Sequence, residues 1–287
     1  MLFSIVVPTC NRYPALSRCL AALQPQLEKL GPETCEIIVT DDSPDDASKS
    51  KIATDFPGVR WQQGPRRGPA ANRNSGAKGS QGDWLVFVDD DCIPWANLLS
   101  AYREAMAQNP RVLVFEGAIV EECPRTRLDE EAPLNKNGGY LWSCNFMIQR
   151  ELFFALDGFC ELFPYAALED VDLRERLKKK GLPFLFVSEA SVIHPWRIFR
   201  PARQQIKIQT LSHQLFYARH PDQRETIPQV LQSGARSLFR GLFMDGPRLH
   251  FRGATNWFTA TLTSIYLGLS FCFKNDSSSF DATGPLL

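Results

Sequence analysis

The segment Trp84-Leu-Val-Phe-Val-Asp-Asp-Asp-Cys-Ile93 constrains the chain more than any other. Four apolar residues in a row after Trp84 predict a strand buried on both faces, as in the middle of a parallel sheet. That strand runs directly into Asp89, Asp90 and Asp91. Adjacent carboxylates repel one another unless a cation or hydrogen-bond donors gather there. Hard oxygen donors suit a divalent metal such as Mg²⁺ or Mn²⁺, and Mg²⁺ is usually shared between one or two carboxylates and substrate phosphates. The expectation is a metal–diphosphate site at the carboxyl end of a central strand. A solvated acidic turn is the plain alternative.

The rest of the amino-terminal half supplies the sheet around that strand. Phe3-Ser-Ile-Val-Val7 predicts a first strand, ending at Pro8-Thr9-Cys10-Asn11-Arg12. A helix follows, with Pro14 in its first turn and Leu16, Leu20, Leu23 and Leu27 at helical spacing. Glu36–Val39 predicts a second strand that ends at Asp41 and Asp42, and a short third strand lies near Val59–Trp61. The basic loop from Gly64 enters a helix of small residues around Arg73. After the Trp84 strand come a helix over about Trp95–Ala107 and strands near Val112–Phe115 and Ala118–Val120. This alternation predicts a doubly wound α/β fold with a mostly parallel sheet. Ligands in such sheets bind outside the carboxyl ends of the strands. Three sets of polar residues fall there: Thr9 with Asn11, Asp41 with Asp42, and Asp89 to Asp91. There is no Gly-x-x-x-x-Gly-Lys-[Ser/Thr], and no Gly-x-Gly-x-x-Gly after the first strand. That argues against a P-loop NTPase and a dehydrogenase.

Further on, Lys136–Tyr140 reads as a mobile glycine-bearing loop and Trp142–Ile148 as a strand. Leu168–Gly181 predicts a well-made helix, with acids in its first turn, lysines in its last and a glycine just beyond. Dipole compensation accounts for acid there in general. Three carboxylates in four residues (Glu169, Asp170, Asp172) suggest more, because a carboxylate held at a helix start can serve as a general base. Phe184–Val187 and Ser191–His194 predict two more strands. A lone His is usually structural, but His194 ends a strand able to return to the same sheet edge, and neutral imidazole is a good Mn²⁺ ligand beside carboxylates.

Charge is unevenly spread. From Trp196 to Arg252 there are ten basic residues against three acids (Asp222, Glu225, Asp245), +7 in a chain with zero net charge. With the charge-free run Trp257–Phe273, which falls short of a membrane span, this predicts helices that contact an acceptor or a membrane surface. The 8 cysteines include no Cys-x-x-Cys pair, which argues against a zinc site or a disulfide framework and for reduced, cytoplasmic thiols. No signal peptide is expected from the residues before Pro8.

Six motifs in order resemble glycosyltransferase family 2, the inverting enzymes of the GT-A fold. They are Val-Val-Pro-Thr9-Cys-Asn-Arg, Ile-Ile-Val-Thr-Asp41-Asp42-Ser, Ala-Asn-Arg73-Asn-Ser-Gly, Val-Asp89-Asp90-Asp91, Asp157-Gly-Phe-Cys-Glu161 and Glu169-Asp170-Val-Asp172-Leu. The resemblance covers about Phe3–Trp196. It implies a GT-A-like, Rossmann-type αβα sandwich. It also implies an inverting glycosyl transfer from a nucleoside-diphosphate sugar, UDP-sugar favoured, in polysaccharide, glycolipid or cell-envelope glycan synthesis. The acceptor would be a carbohydrate or lipid-linked, with no nucleic acid as partner. By position, Thr9, Asn11, Asp41, Asp42, Arg73, Asp89 and Asp90 would contact the nucleotide or diphosphate, and Asp91, Asp89 and His194 a divalent metal (Mn²⁺ or Mg²⁺). Asp170 would be the base, with Glu169 beside it. Asp157 and Cys160 depart from the family's usual Gly and Asp. A sugar nucleotidyltransferase would carry a glycine-rich basic loop after the first strand, which is missing here. A non-catalytic sugar-nucleotide-binding protein would be expected to have lost Asp91 or Asp170.

The expected organisation is a catalytic domain over residues 1–198, a helical region over 199–274 and a disordered tail over 275–287. The expected place is the cytoplasm, with a peripheral contact at the inner face of the membrane.

Overall fold

The structure is a computed structural model that describes residues 3–31 and 34–273. The tail expected over 275–287 lies outside the described residues. In chain order the elements are β1 (Phe3–Thr9), α1 (Tyr13–Leu30), β2 (Cys35–Asp41), α2 (Ala47–Asp55), β3 (Val59–Gln63), α3 (Pro69–Gly79) and β4 (Trp84–Val88). They continue with β5 (Ile93–Pro94), α4 (Leu98–Gln108), β6 (Val114–Glu121), β7 (Glu130–Glu131), β8 (Asn145–Gln149), α5 (Arg150–Ala155) and α6 (Glu169–Lys179). β9 (Leu185–His194), β10 (Arg197–Ile198), α7 (Ala202–Arg219), α8 (Ile227–Phe239), α9 (Gly246–Arg248) and α10 (Ala254–Phe273) complete the chain. It divides into two compact units: residues 1–124 with 132–197, and residues 125–131 with those from Ile198 on.

The first unit is an α/β sandwich on an eight-stranded sheet ordered β3-β2-β1-β4-β8-β6-β9-β5. β3, β2, β1 and β4 pair in parallel, and so do β6 and β9. β8 runs against both β4 and β6, and β5 runs against β9. Six strands therefore point one way and put their carboxyl ends along one edge. The alternation of a strand's side chains assigns the two faces. Phe3, Ile5 and Val7 pack with Leu16, Leu20 and Leu23 of α1 and Tyr102 of α4. Val6 faces the other way, with Leu85 and Phe87, against Ala70 and Ala77 of α3 and Leu173 and Leu177 of α6. Each such buried aliphatic side chain contributes about 1.5–3 kcal/mol. Gln26 is a buried exception on α1: its amide donates to Trp95 O and its oxygen accepts from Leu99 N–H. It thereby caps α4, whose own Asn97 makes no side-chain cap.

Sequence reading split two strands that are continuous. The strands expected near Val112–Phe115 and Ala118–Val120 fall on the single β6, and those over Phe184–Val187 and Ser191–His194 on the single β9, with a register shift at Gly117/Ala118. The glycine is required there, since a Cβ would lie 2.2 Å from Ala190 O and from Asn145 Nδ2. α2 and α5 were not legible, because α2 buries only Ile52 and α5 only Phe153. The loop expected to be mobile over Lys136–Tyr140 is tied down instead. The buried Glu116 carboxylate accepts the N–H groups of Gly139, Tyr140 (3.1 Å) and Leu141 (2.9 Å) and the Asn135 amide (3.1 Å).

The second unit is helical. Thr226 and Gln229 form a capping box at α8, and the helix expected over 227–243 gives way to a π-turn at Arg240–Asp245. Segment 125–131 belongs to this unit: Leu128 packs on Leu249 and Trp257, and Asp129 accepts from Asn256. Gly241 lies flat on the Trp257 ring, where a Cβ would come within 2.0 Å. No helix among the described residues is long and apolar enough to cross a membrane.

Candidate active site

The order β2-β1-β4 brings three polar strand ends side by side. Thr9 Oγ donates to Asp90 Oδ2 at 2.6 Å, and Arg12 meets Asp90 Oδ1 at 2.7 Å. Asp90 is fully buried, and burial pushes its carboxyl up to about 7 against the pull of Arg12 and Thr9. Its place is beneath the site, joining β1 to β4, and no side of it is open to a ligand. Asp41 is likewise buried, accepting from Ser43, Ser48 and Trp61, so it braces the turn after β2. Asp42 is half-buried and accepts the Arg66 N–H at 2.8 Å. Burial raises its pKa, and the backbone donors of Arg66 and Gly68 oppose the rise. Gly64 makes room for that carboxylate, since a Cβ there would stand 2.2 Å from Asp42 Oδ1. Asn11 is exposed, with φ 55°, and its N–H donates to Ser43 Oγ at 2.8 Å.

Beyond Asp89–Asp91 the chain folds as β5 against the end of β9, pairing Ile93 with Ile193. That turn sets Asp91 opposite His194, with Asp91 Oδ1 3.8 Å from His194 Nε2. Asp91 Oδ1 is buried without a hydrogen-bond partner. His194 Nδ1 lies 2.7 Å from Pro195 O. A carbonyl only accepts, so Nδ1 carries a proton, and in the neutral ring Nε2 turns a lone pair toward the carboxylate. An unpartnered oxygen facing an unprotonated nitrogen is a donor pair for a divalent cation, and its outer hydrogen bond is of the kind that orients a ligating histidine. Asp91 Oδ2 meanwhile meets Arg197 and, at 3.3 Å, Arg12, which neutralise it. Cys92 lies in the same cluster, but its hydrogen bond with Cys144 and its burial raise the thiol's pKa well above the usual value. It stays protonated and offers no thiolate.

Arg73 connects this edge to α6. It is buried and spans two carboxylates, donating to Asp89 Oδ1 at 2.7 Å and to Glu169 Oε1 at 2.9 Å. Burial opposes its charge, but Asp89 and Glu169 raise its pKa nonetheless. Burial also works against the ionised Asp89, and Arg73 outweighs it and lowers that pKa. At the start of α6, burial pushes Glu169 up to about 7 and also raises Asp170. Asp170 is half-buried; its Oδ2 accepts the Ser143 N–H at 3.1 Å and its Oδ1 the Val171 N–H at 2.8 Å. Asp172 turns away to Arg176 at 2.9 Å. The Asp157–Glu161 turn is held to α3 by Asn74, which accepts from Phe159 N–H and donates to Phe159 O and Glu161.

Three contributors were missed in sequence. Arg12 and Arg197 are ordinary arginines until the fold sets both on Asp91. Glu116 reads as strand, yet it anchors the loop whose continuation carries the Ser143 donor. Glu116→Gln is expected to lower stability by about 1.5–3 kcal/mol, the worth of hydrogen bonds to a charged group, because the amide turns N–H toward N–H. Urea denaturation checks it, with amide exchange at Gly139–Leu141 rising in step.

The sheet order, its polar edge and the appended helices define a GT-A glycosyltransferase fold. The sequence pattern of the family described as "Glycosyl transferase family 2" matches residues 4–158, more than half of the chain, and the chain belongs to that family. An uncharacterized glycosyltransferase of Haemophilus influenzae is 27% identical over 194 residues, 61% of this chain and 62% of that protein. The Campylobacter jejuni GalNAc(5)-diNAcBac-PP-undecaprenol beta-1,3-glucosyltransferase is 33% identical over 124 residues, 42% of this chain and 38% of that one. The match thus spans less than two thirds of either relative. Among solved structures, the mannosyltransferase PcManGT from Pyrobaculum calidifontis, in complex with GDP-Man and Mn²⁺, superposes with a TM-score of 0.60 at 17% identity, over 94% of this chain and 86% of that one. S. aureus TarS 1-349 in complex with UDP-GlcNAc gives 0.55 at 17% identity, over 95% and 88%.

Proposed function

We propose that this chain is an inverting glycosyltransferase that moves a sugar from a nucleoside-diphosphate sugar, UDP-sugar favoured, to an acceptor hydroxyl. The observation that carries the reading is the ion chain Asp89–Arg73–Glu169, which holds a cation-ready pair, Asp91 and His194, at the same sheet edge as the carboxylate Asp170. Asp42 accepts the imide N–H of the base and Thr9 lines its place. Asp89 faces the ribose. Asp91 Oδ1 and His194 Nε2 would hold Mn²⁺ or Mg²⁺, which would supply Lewis-acid stabilisation to the departing diphosphate. Arg12 and Arg197, which lie on Asp91 Oδ2, are the cations at this edge available to phosphate oxygens. Asp170 takes the proton of the acceptor hydroxyl as that oxygen attacks the anomeric carbon from the face opposite the leaving group, so the configuration inverts. Arg73 keeps Glu169 and Asp89 in place and favours the ionised base.

The neighbour in complex with UDP-GlcNAc and the one with GDP-Man and Mn²⁺ support a metal and a nucleotide sugar for this fold. The Campylobacter relative's undecaprenol-linked substrate supports a lipid-linked or envelope-glycan acceptor. Asp91→Asn tests the metal: Mn²⁺-dependent thermal stabilisation by UDP is expected to vanish and transfer to fall about 10²–10³-fold, as when one preorganised electrostatic stabiliser is removed. Turnover at the unsubstituted rate would sink the assignment.

The helical region from about 199 to 274 is proposed to contact acceptor and membrane, in the cytoplasm at the inner face. Phe239 (59% exposed), Phe243 (69%) and Met244 (60%) stand out from the π-turn, and Arg236, Arg240, Arg248 and Arg252 are exposed on the same short stretch. Such a mixture suits an anionic bilayer surface. The protein is expected to float with phosphatidylglycerol vesicles at low salt, and Phe243→Asp to stop it. Flotation of that variant at the unsubstituted level would refute the contact.

A further inference from the structure

The helical unit contains a cavity of about 450 Å³, inside the roughly 300–1,000 Å³ range of small-ligand pockets. Its walls are the inner stripes of α7, α8 and α10, where a helical bundle ordinarily places apolar side chains. Here polar groups stand among apolar ones, and Ser233, Ser237 and Ser264 line the exposed side. α7 contributes Gln205, Gln209, His213 and Tyr217, one every four residues and hence one above another. α8 adds Ser233 and Ser237 at the same spacing, and α10 adds Thr261 and Ser264. A polar group turned into a core costs free energy unless something bonds it; His213, Ser233 and Thr261 bond to the carbonyls of Gln209, Val230 and Trp257, whereas Gln205 Oε1 is buried with no partner. Between these groups stand the rings of Trp257 and Phe271.

We propose that this cavity is a saccharide-binding site, made of residues other than those of the proposed active site, that takes one or two neutral sugar units. The lining chooses the ligand class. Hydroxyls, amides and a neutral imidazole match the donors and acceptors around the rim of a pyranose, and Trp257 and Phe271 add apolar wall for its C–H groups. Glu131 and Glu225 line the cavity and neither lysine nor arginine does, so the lining offers no cation to hold phosphate, nucleotides or anionic lipid headgroups. An ammonium ligand would use the rings and acids but leave the amides and hydroxyls idle. Helix approach is set for the cavity by small residues: a Cβ on Gly234 would meet Ile265 at 2.6 Å, and one on Gly268 would meet Val230 at 2.8 Å. That the sugar belongs to the acceptor glycan rests on the proposed function; the binding itself does not.

The experiment is calorimetry and ligand-observed NMR on the full chain. The probes are glucose, N-acetylglucosamine and their β-linked disaccharides, with tetramethylammonium and inorganic phosphate for comparison. Two variants accompany it: Ser264→Trp, which plugs the exposed mouth, and Gln205→Leu, which removes the unpartnered oxygen. Saturable binding of a disaccharide is expected, weakened at least about tenfold in both variants, that is by about 1.4 kcal/mol, and unchanged in Asp91→Asn. If Ser264→Trp does not melt cooperatively, Gln205→Leu decides alone. No sugar binding by a folded sample, binding that ignores the substitutions, or selective uptake of tetramethylammonium or phosphate would each overturn the proposal. UDP with Mn²⁺, titrated into the same samples, reports on the donor site separately: its failure beside intact sugar binding counts against the transferase reading, and the reverse against this cavity.

Discussion

Asp170→Asn is expected to lower the rate of sugar transfer by about 10²–10⁴-fold, the range of a positioned general base, while UDP with Mn²⁺ still binds. The asparagine keeps one oxygen for the Ser143 N–H, so the α6 start should retain its shape. Single-turnover transfer separates this from a binding defect, and a variant with unaltered turnover would remove Asp170 from the chemistry. The pH profile carries a second signature. A base acts ionised, so activity is present at high pH and lost as pH falls through its pKa. Burial raises that pKa, so the acid limb of kcat/KM should lie above the ordinary carboxylate range. Arg73 lowers both Glu169 and Asp170, so weakening Arg73 should move the limb higher still.

Arg73→Ala should have the largest effect on stability. Arg73 is 3% exposed and is the counterion to Asp89 and Glu169 at once. Removing one member of a buried ion network costs about 3–5 kcal/mol, because the remaining charges stay buried without compensation. Urea denaturation should show that loss, and adding Glu169→Gln should restore part of it. A loss under about 1 kcal/mol, the scale of an exposed pair, would mean the network is solvated. The pH dependence has a definite sign. Glu169, raised to about 7, contributes stability that is complete below the ordinary glutamate value of 4.5 and is lost as pH rises through about 7. Asp89, lowered, works the other way: its contribution is present above 3.8 and is lost as pH falls through its depressed pKa.

Much of this was legible in sequence, for identifiable reasons. The Trp84 strand and its acids could be read because a buried strand and a ligand edge each leave a local signature. The α6 helix could be read because its caps and charges are local too. The order of the strands makes Thr9, Asp42 and Asp91 neighbours, and their membership of one edge followed from the α/β rule. What stayed hidden depends on side-chain direction. Asp41 and Asp90 look like Asp42 and Asp91 in sequence, yet they turn inward to Ser43 and Thr9. Arg73 carries no local sign that it bridges two carboxylates, and Glu116 sits in strand alternation like any other residue. The segment 125–131 joins the helical unit through Leu128 and Asp129, contacts that no periodicity announces.

The two-residue strand β5 has a consequence for how the site comes into being. It fastens the acids after β4 to β9, so the Asp91–Arg197 pair closes across 106 residues and Arg73–Glu169 across 96. Contacts so distant in sequence give nothing back until the chain entropy between them has been spent. The cation pair and the base should therefore mature together, late in folding. A partly folded chain, or one ending near residue 158 where the family pattern stops, would carry Asp91 without His194 and Arg197 opposite it, and Arg73 without Glu169. Under the proposed metal site, cation affinity would then report completed folding, and a cell would gain no stray metal-loaded intermediate.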